Sequence, residues 1–141
     1  MFTTLHTIPW SDLRMIMDLP AIQVPIALRG LISPDQQVRY KAYWKLDNYI
    51  VVQSSLYEAA WYAIPFLLEI IGDSQNHGRR EAYDLLYEIG TGCSQEENTL
   101  YLPSGEVVSL HSACRSAVKE AFALYIRLYH DLKIISFHCL C

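Results

Sequence analysis

Residues 25–46 read PIALRGLISPDQQVRYKAYWKL, and residues 65–86 read PFLLEIIGDSQNHGRREAYDLL. Laid over each other at an offset of forty, they pair Pro25 with Pro65, Leu28 with Leu68, Leu31 with Ile71, Arg39 with Arg79, Ala42 with Ala82, Tyr43 with Tyr83 and Leu46 with Leu86. No gap is needed. Each copy reads as an apolar helix entered near a proline, a short polar turn and a second helix, which together make a helical hairpin. The turns are Ser33-Pro34-Asp35 and Gly72 to Gly78. In the first copy Ser33 is placed as the N-cap and Pro34 at the first helical position. Val38, Ala42, Leu46 and Tyr49 or Ile50 then recur at helical spacing, which predicts one buried stripe. In the second copy Tyr83, Leu86, Tyr87 and Ile89 do the same, with Gly90 as a left-handed stop. Neither hairpin can bury its stripe alone, so the two must stack.

Further along, the stretch from Ser112 to Tyr129 aligns on Leu56 to Ile71 at an offset of 58, pairing Ala117 with Ala59, Ala121 with Ala63 and Ile126 with Leu68. The difference between the two offsets marks an insertion, Thr91 to Leu110. It is read as a loop in which the residues around Pro103-Ser104-Gly105 could form a small hairpin. Upstream, Ser11 is placed as the cap of a helix from Asp12 to about Asp18, with Leu13, Ile16 and Met17 covering the open end of the first hairpin. Repeats of about forty residues, each two helices, are the signature of HEAT-like or armadillo-like α-solenoids. The expected fold is therefore all-α, a short right-handed α-α superhelix in one domain. It divides into a capping helix in 1–20, hairpins in 21–51 and 55–90, an insertion loop in 91–110, and a third-repeat helix with an apolar tail in 111–141.

The chain has 141 residues, 52% of them hydrophobic and 18% charged, enough to build one core. Eleven Lys and Arg against fifteen Asp and Glu give a net charge of -4, which disfavours general binding to nucleic acid or anionic membranes. No signal peptide or membrane-length apolar run is visible, so a cytoplasmic protein with reduced thiols is expected. Its four cysteines, Cys93, Cys114, Cys139 and Cys141, are too few and too unevenly placed for a disulfide scaffold.

Three kinds of chemistry were open. Cys93, His111, Cys114 and His138 or Cys139 are ligand types that suit zinc, yet only His111-x-x-Cys114 is local, and no metal or other cofactor is expected. Cys114, one turn after His111, is the single candidate nucleophile, but its alanine-rich setting fits a packed core thiol better. Glu81, Asp84 and Glu88 fall on one face of the fourth helix, and Glu96, Glu97 and Glu106 follow. No Lys or Arg lies between Arg80 and Arg115, which predicts a patch of local charge near -6. Such a patch speeds encounter with a basic protein. Ten Tyr and three Trp are far more than a Leu-Ala solenoid needs. Trp44, Trp61 and Tyr62 fall off or at the edge of the main stripes, where large rigid rings make good binding anchors.

The run Pro9-Trp10, Val24-Pro25, Leu28, Leu31, Ser33-Pro34-Asp35, Val38-Arg39, Ala42, Trp44, Leu46, Gln53, Tyr57-Glu58-Ala59 and Ala63 to Leu67 resembles a family of bacterial HEAT-repeat proteins. Cys114, Ala117-Val118 and Tyr125 to Asp131 resemble the later helix of the same family, so the likeness covers most of the chain. Its most specific piece is Gln53 to Leu67. The chain departs from the family in carrying Val51-Val52-Gln53-Ser54 where members have an aromatic-His-Gln-Gly turn, so Val52 cannot do what that histidine does. The resemblance implies a scaffold, with an immunity or accessory role beside a bacterial toxin as one form.

The expectation is thus a non-enzymatic scaffold that binds and occludes another protein, with a basic partner as the one the acidic patch suits. The expected docking residues are Trp44, Gln53, Tyr57, Glu58, Trp61, Tyr62, Glu81, Asp84, Glu88, Glu96 and Glu97. Two alternatives stand beside it. One is a HEAT-like nucleic-acid enzyme of the DNA glycosylase type, which would need a pocket joining Trp or Tyr with a carboxylate and a basic row from Arg39, Lys41, Lys45, Arg79 and Arg80. The other is a truncated or domain-swapped scaffold, with homo-oligomers formed through the apolar C-terminal tail.

Overall fold

Val24–Leu31 (α1) and Gln36–Ile50 (α2) form one helical pair, and Glu58–Gly72 (α3) and Arg79–Thr91 (α4) form a second. A long fifth helix, Leu110–His138 (α5), follows. This computed structural model describes residues 1–92 and 98–138, with side chains as far as 127. The chain is mostly helical. Besides the contacts within each pair, α1 packs on α3, α2 on α4, and α5 on both α3 and α4. The shared core includes Leu28, Leu31, Leu46, Ile50, Phe66, Leu67, Ile70, Leu85, Leu86 and Ile89. Each such side chain contributes about 1.5–3 kcal/mol on burial.

The helical stripes differ in detail from the expected ones. Asp35, not Ser33, caps α2, its carboxylate accepting the Gln37 N–H at 2.8 Å. Pro34 therefore precedes the helix, and Ser33 accepts from the Asp35 amide instead. Val38, Tyr83 and Tyr87 are exposed, while Leu85 is buried. On α4 helical spacing admits neighbouring stripes, and the buried one is aliphatic, Ala82, Leu85, Leu86 and Ile89, which leaves the tyrosine hydroxyls to solvent. The Gly90 stop does not occur either: α4 runs on to Thr91. Pro65 lies in the interior of α3 rather than at its entrance, exposed on the solvent side. There the carbonyl freed by its missing N–H can be met by water. Phe66 beside it is deeply buried.

Between the two pairs, Gly78 passes against the backbone of Leu31. A Cβ at Gly78 would overlap the Leu31 carbonyl oxygen, so only glycine lets the α3–α4 turn approach the end of α1.

The N-terminal capping helix is not formed. Residues 1–23 instead make short 3-10 turns at Leu5–Thr7, Ile16–Asp18 and Ala21–Gln23 and a two-residue ladder, Arg14–Met15 (β1) against Leu19–Pro20 (β2). Met17 and Asp18 hold positive φ values of 61° and 57°, which no α-helix accommodates. Long-range bonds hold this segment on α3. The Phe2 amide donates to Glu69 at 2.8 Å and the Arg14 amide to Glu58 at 3.1 Å. Phe2 and Trp10 pack on Phe66. Of the three expected covering residues only Leu13 is buried, and Met17 is 80% exposed.

Two further hairpins occur. Val51–Val52 (β3) pairs with Ser55–Leu56 (β4) through a two-residue turn in which Gln53 and Ser54 both have positive φ, 48° and 69°. The insertion is more than a loop: Thr99–Tyr101 (β5) pairs with Val107–Ser109 (β6) around Gly105 at φ +86°. Leu100, fully buried, anchors it to the core, and the Asn98 side chain donates to the Leu56 carbonyl at 3.1 Å. That burial supplies what two short strands lack alone.

Candidate functional site

Where α2 lies beside α4, two side-chain bonds cross between them. Arg39 Nε meets Glu81 Oε1 at 3.3 Å, and the Tyr43 hydroxyl donates to Glu88 Oε1 at 2.6 Å. Arg39 Nη1 also donates to the carbonyls of Ser33 and Pro34 at 2.9 and 3.0 Å, which ties the guanidinium to the α1–α2 turn. Beside these ties runs a groove of about 580 Å³. Gln36, Gln37, Arg39, Tyr40, Tyr43 and Trp44 line one wall and His77, Arg80, Glu81 and Asp84 the other.

Tyr40 and Trp44 stand one helical turn apart on α2, 59% and 45% exposed. Their rings meet edge to face with centroids 6.2 Å apart, and Tyr43 approaches Trp44 at 5.2 Å. The outer side of the same pair borders a shallow depression with Lys41, Lys45, Asn48 and Tyr49. So much exposed ring surface in one place is unusual for a helix that already has a buried stripe.

The electrostatics of the groove differ from an unbroken acidic patch. Glu81 is neutralised by Arg39, a partner 42 positions away in sequence. Glu88 is pushed up to about 7, first by burial and then by its bond with the Asp47 carboxyl; only the Tyr43 hydroxyl works the other way. The Tyr43 phenol is itself raised, by burial and then by Glu88, Asp47 and Asp84. Of these three carboxylates, Glu88 is the one bonded to the hydroxyl.

Of the residues expected to dock a partner, Trp44, Glu81 and Asp84 line this groove, and Glu88 is bonded to Tyr43 beside it. Gln53, Tyr57, Glu58, Trp61 and Tyr62 belong to the β3–β4 turn and the start of α3, where several do internal work. Glu58 receives the Arg14 amide, Tyr57 precedes α3 as its cap residue, and the Tyr62 hydroxyl donates to the Tyr101 carbonyl at 3.4 Å. Trp61 and Tyr62 meet edge to face at 5.0 Å and pack on the core as half-buried residues. Glu96, Glu97, Cys93 and Cys139 lie outside the described residues, as do the side chains of the apolar tail. Tyr40 lines the groove without having been singled out for docking, and Arg80, expected only in the basic row of the nucleic-acid alternative, lines it too. The signal for Tyr40 was its four-residue spacing from Trp44.

Cys114 is fully buried and its thiol is pushed up to about 12 by that burial, so it is no thiolate at neutral pH. His111 is lowered by burial and then by Arg115, and its Nε2 has no hydrogen-bond partner among the described residues. Among those residues no three His, Cys, Asp or Glu side chains gather into a metal-holding group, and no helix is long and apolar enough to cross a membrane.

The chain matches no protein-family model, no curated protein and no solved structure. What it does must be read from the groove.

Proposed function

We propose that the chain is a non-enzymatic scaffold of HEAT-like helical pairs that binds another protein in the α2–α4 groove. The observation that supports this most is the exposed Tyr40–Trp44 pair standing over a groove with carboxylates on its far wall. Aromatic anchors of this kind dominate binding energy when a partner desolvates them. An immunity or accessory role, implied by the resemblance to bacterial HEAT-repeat proteins, fits this reading: the helical face would cover a partner's active site. The test compares immobilised full chain with a Tyr40→Ala/Trp44→Ala variant of equal thermal stability. A stoichiometric partner retained by the first and lost by the second supports the reading, and equal retention rejects it.

A glycosylase-type activity is the second reading, favoured by the meeting of Trp44 with Glu81 and Asp84 in one groove. Two of the five basic residues it needs are committed elsewhere. Arg39 is tied to Glu81 and two carbonyls, and Arg79 Nε donates to the Ile71 carbonyl at 3.0 Å. Anisotropy of labelled single-stranded DNA separates the two, since salt-dependent binding weakened by Arg80→Ala belongs only to the nucleic-acid reading.

A further inference from the structure

We infer that the groove between α4 and α5 receives an acidic amphipathic helix of another protein, whose carboxylates meet Arg115 and Lys119 along one rim. This surface is distinct from the α2–α4 groove and does not depend on the docking read there. The forty-residue offset that carries Arg39 to Arg79 and Tyr43 to Tyr83 holds in the fold as well as in the sequence. Each arginine donates to carbonyls near the end of the helix before its own, Arg39 to Ser33 and Pro34 and Arg79 to Ile71. On α2 the flank bearing Arg39 and Tyr43 is covered by a helix, since α4 brings Glu81 to the one at 3.3 Å and Glu88 to the other at 2.6 Å. On α4 the corresponding flank is covered only in part. Val118 of α5 packs on Gly90, and the Phe122 ring meets the Tyr83 ring with centroids 5.6 Å apart. Tyr83 and Tyr87 stay 51% and 61% exposed.

Along that edge runs a groove of about 290 Å³. Val118 and Gly90 form its floor, Tyr87 and Phe122 its apolar walls, and Arg115 and Lys119, exposed and one turn apart on α5, its rim. No acid is among the described residues that line it, and neither cation forms an ion pair with a described residue. Drug-sized ligands fill pockets of about 300–1,000 Å³ that enclose most of their surface. An open furrow this small instead suits one or two side chains of a helix lying along it. The charge on its rim sets the chemistry of that helix: an apolar stripe for Tyr87 and Phe122, with carboxylates one turn apart beside it for Arg115 and Lys119. α4 offers α2 a face of the same make, Glu81 and Glu88 beside the buried Leu85.

Fluorescence anisotropy of the full chain tests this with a hydrocarbon-stapled helical peptide that carries a leucine stripe flanked by glutamates. Two further peptides serve beside it, one with Gln for every Glu and one of the same composition with the stripe scrambled. The glutamate peptide should bind, the glutamine one roughly threefold to tenfold more weakly, and the scrambled one not measurably. Arg115→Glu/Lys119→Glu should weaken the glutamate peptide by roughly tenfold or more, and Tyr87→Ala by roughly threefold to tenfold, both with unchanged circular dichroism. Tyr40→Ala/Trp44→Ala should bind it as the parent does. Equal binding of the glutamine or scrambled peptide, indifference to the charge reversal, or loss in Tyr40→Ala/Trp44→Ala overturns the inference. So does a dimer of the chain alone that the charge reversal disperses, because a second copy would then be the occupant. Absence of peptide binding sinks this site and leaves the α2–α4 docking reading to its own test.

Discussion

The Tyr43 hydroxyl and the Glu88 carboxyl meet at 2.6 Å across the contact between α2 and α4, where burial and then the neighbouring Asp47 carboxyl push Glu88 up to about 7. The folded chain therefore holds a proton on Glu88, up to about pH 7, that an unfolded glutamate has already released. Stability from this group is greatest below the ordinary carboxylate value, declines as pH rises from there to about 7, and then levels off. Glu88 is partly solvated, so the decline should be about 1 kcal/mol, read as urea midpoints at pH 5 and pH 8. Glu88→Gln should flatten it. Tyr43→Phe should steepen it, costing about 1 kcal/mol at pH 8 and less at pH 5, because the lost donor serves the charged form best.

Cys114 should resist alkylation. Its buried neutral thiol leaves iodoacetamide no nucleophile at pH 8, so peptide mapping should find it unmodified in the native protein and modified in denaturant. Rapid native labelling would revive a reactive-thiol reading.

Gly78→Ala should destabilise by at least about 2 kcal/mol, since the new methyl meets backbone rather than a movable side chain. A thermal midpoint within a degree or two of the parent would show that the α3–α4 turn has room to shift.

Ser54→Gly should stabilise by about 1 kcal/mol. The β3–β4 turn holds Ser54 at φ 69°, where glycine carries no Cβ penalty. An unchanged or lowered midpoint would mean that the extra freedom of the unfolded glycine cancels the gain.

Much of the helical framework could be read from spacing alone. Leu28, Leu31, Ala42, Leu46, Leu86 and Ile89 fall where the forty-residue offset puts apolar stripes, and all are buried. What spacing misses depends on distant partners. The first twenty residues avoid helix because Glu58 and Glu69, far along the chain, take backbone amides of Arg14 and Phe2. The acidic run from Glu81 looked unopposed because its counter-charge, Arg39, stands on another helix. The hairpin in the insertion looked marginal because the burial of Leu100 is a tertiary event. For the site, Trp44, Glu81, Asp84 and Glu88 were legible as off-stripe residues. Tyr40 and Asp47 gain their meaning only once α4 is laid beside α2.

Gly78 touches the main chain of Leu31 just before α4 begins. A single hydrogen there, in place of a methyl, acts as the spacer that sets the gauge between neighbouring helical pairs. Thickening that spacer would prise the walls of the aromatic cleft apart without altering one residue that lines it.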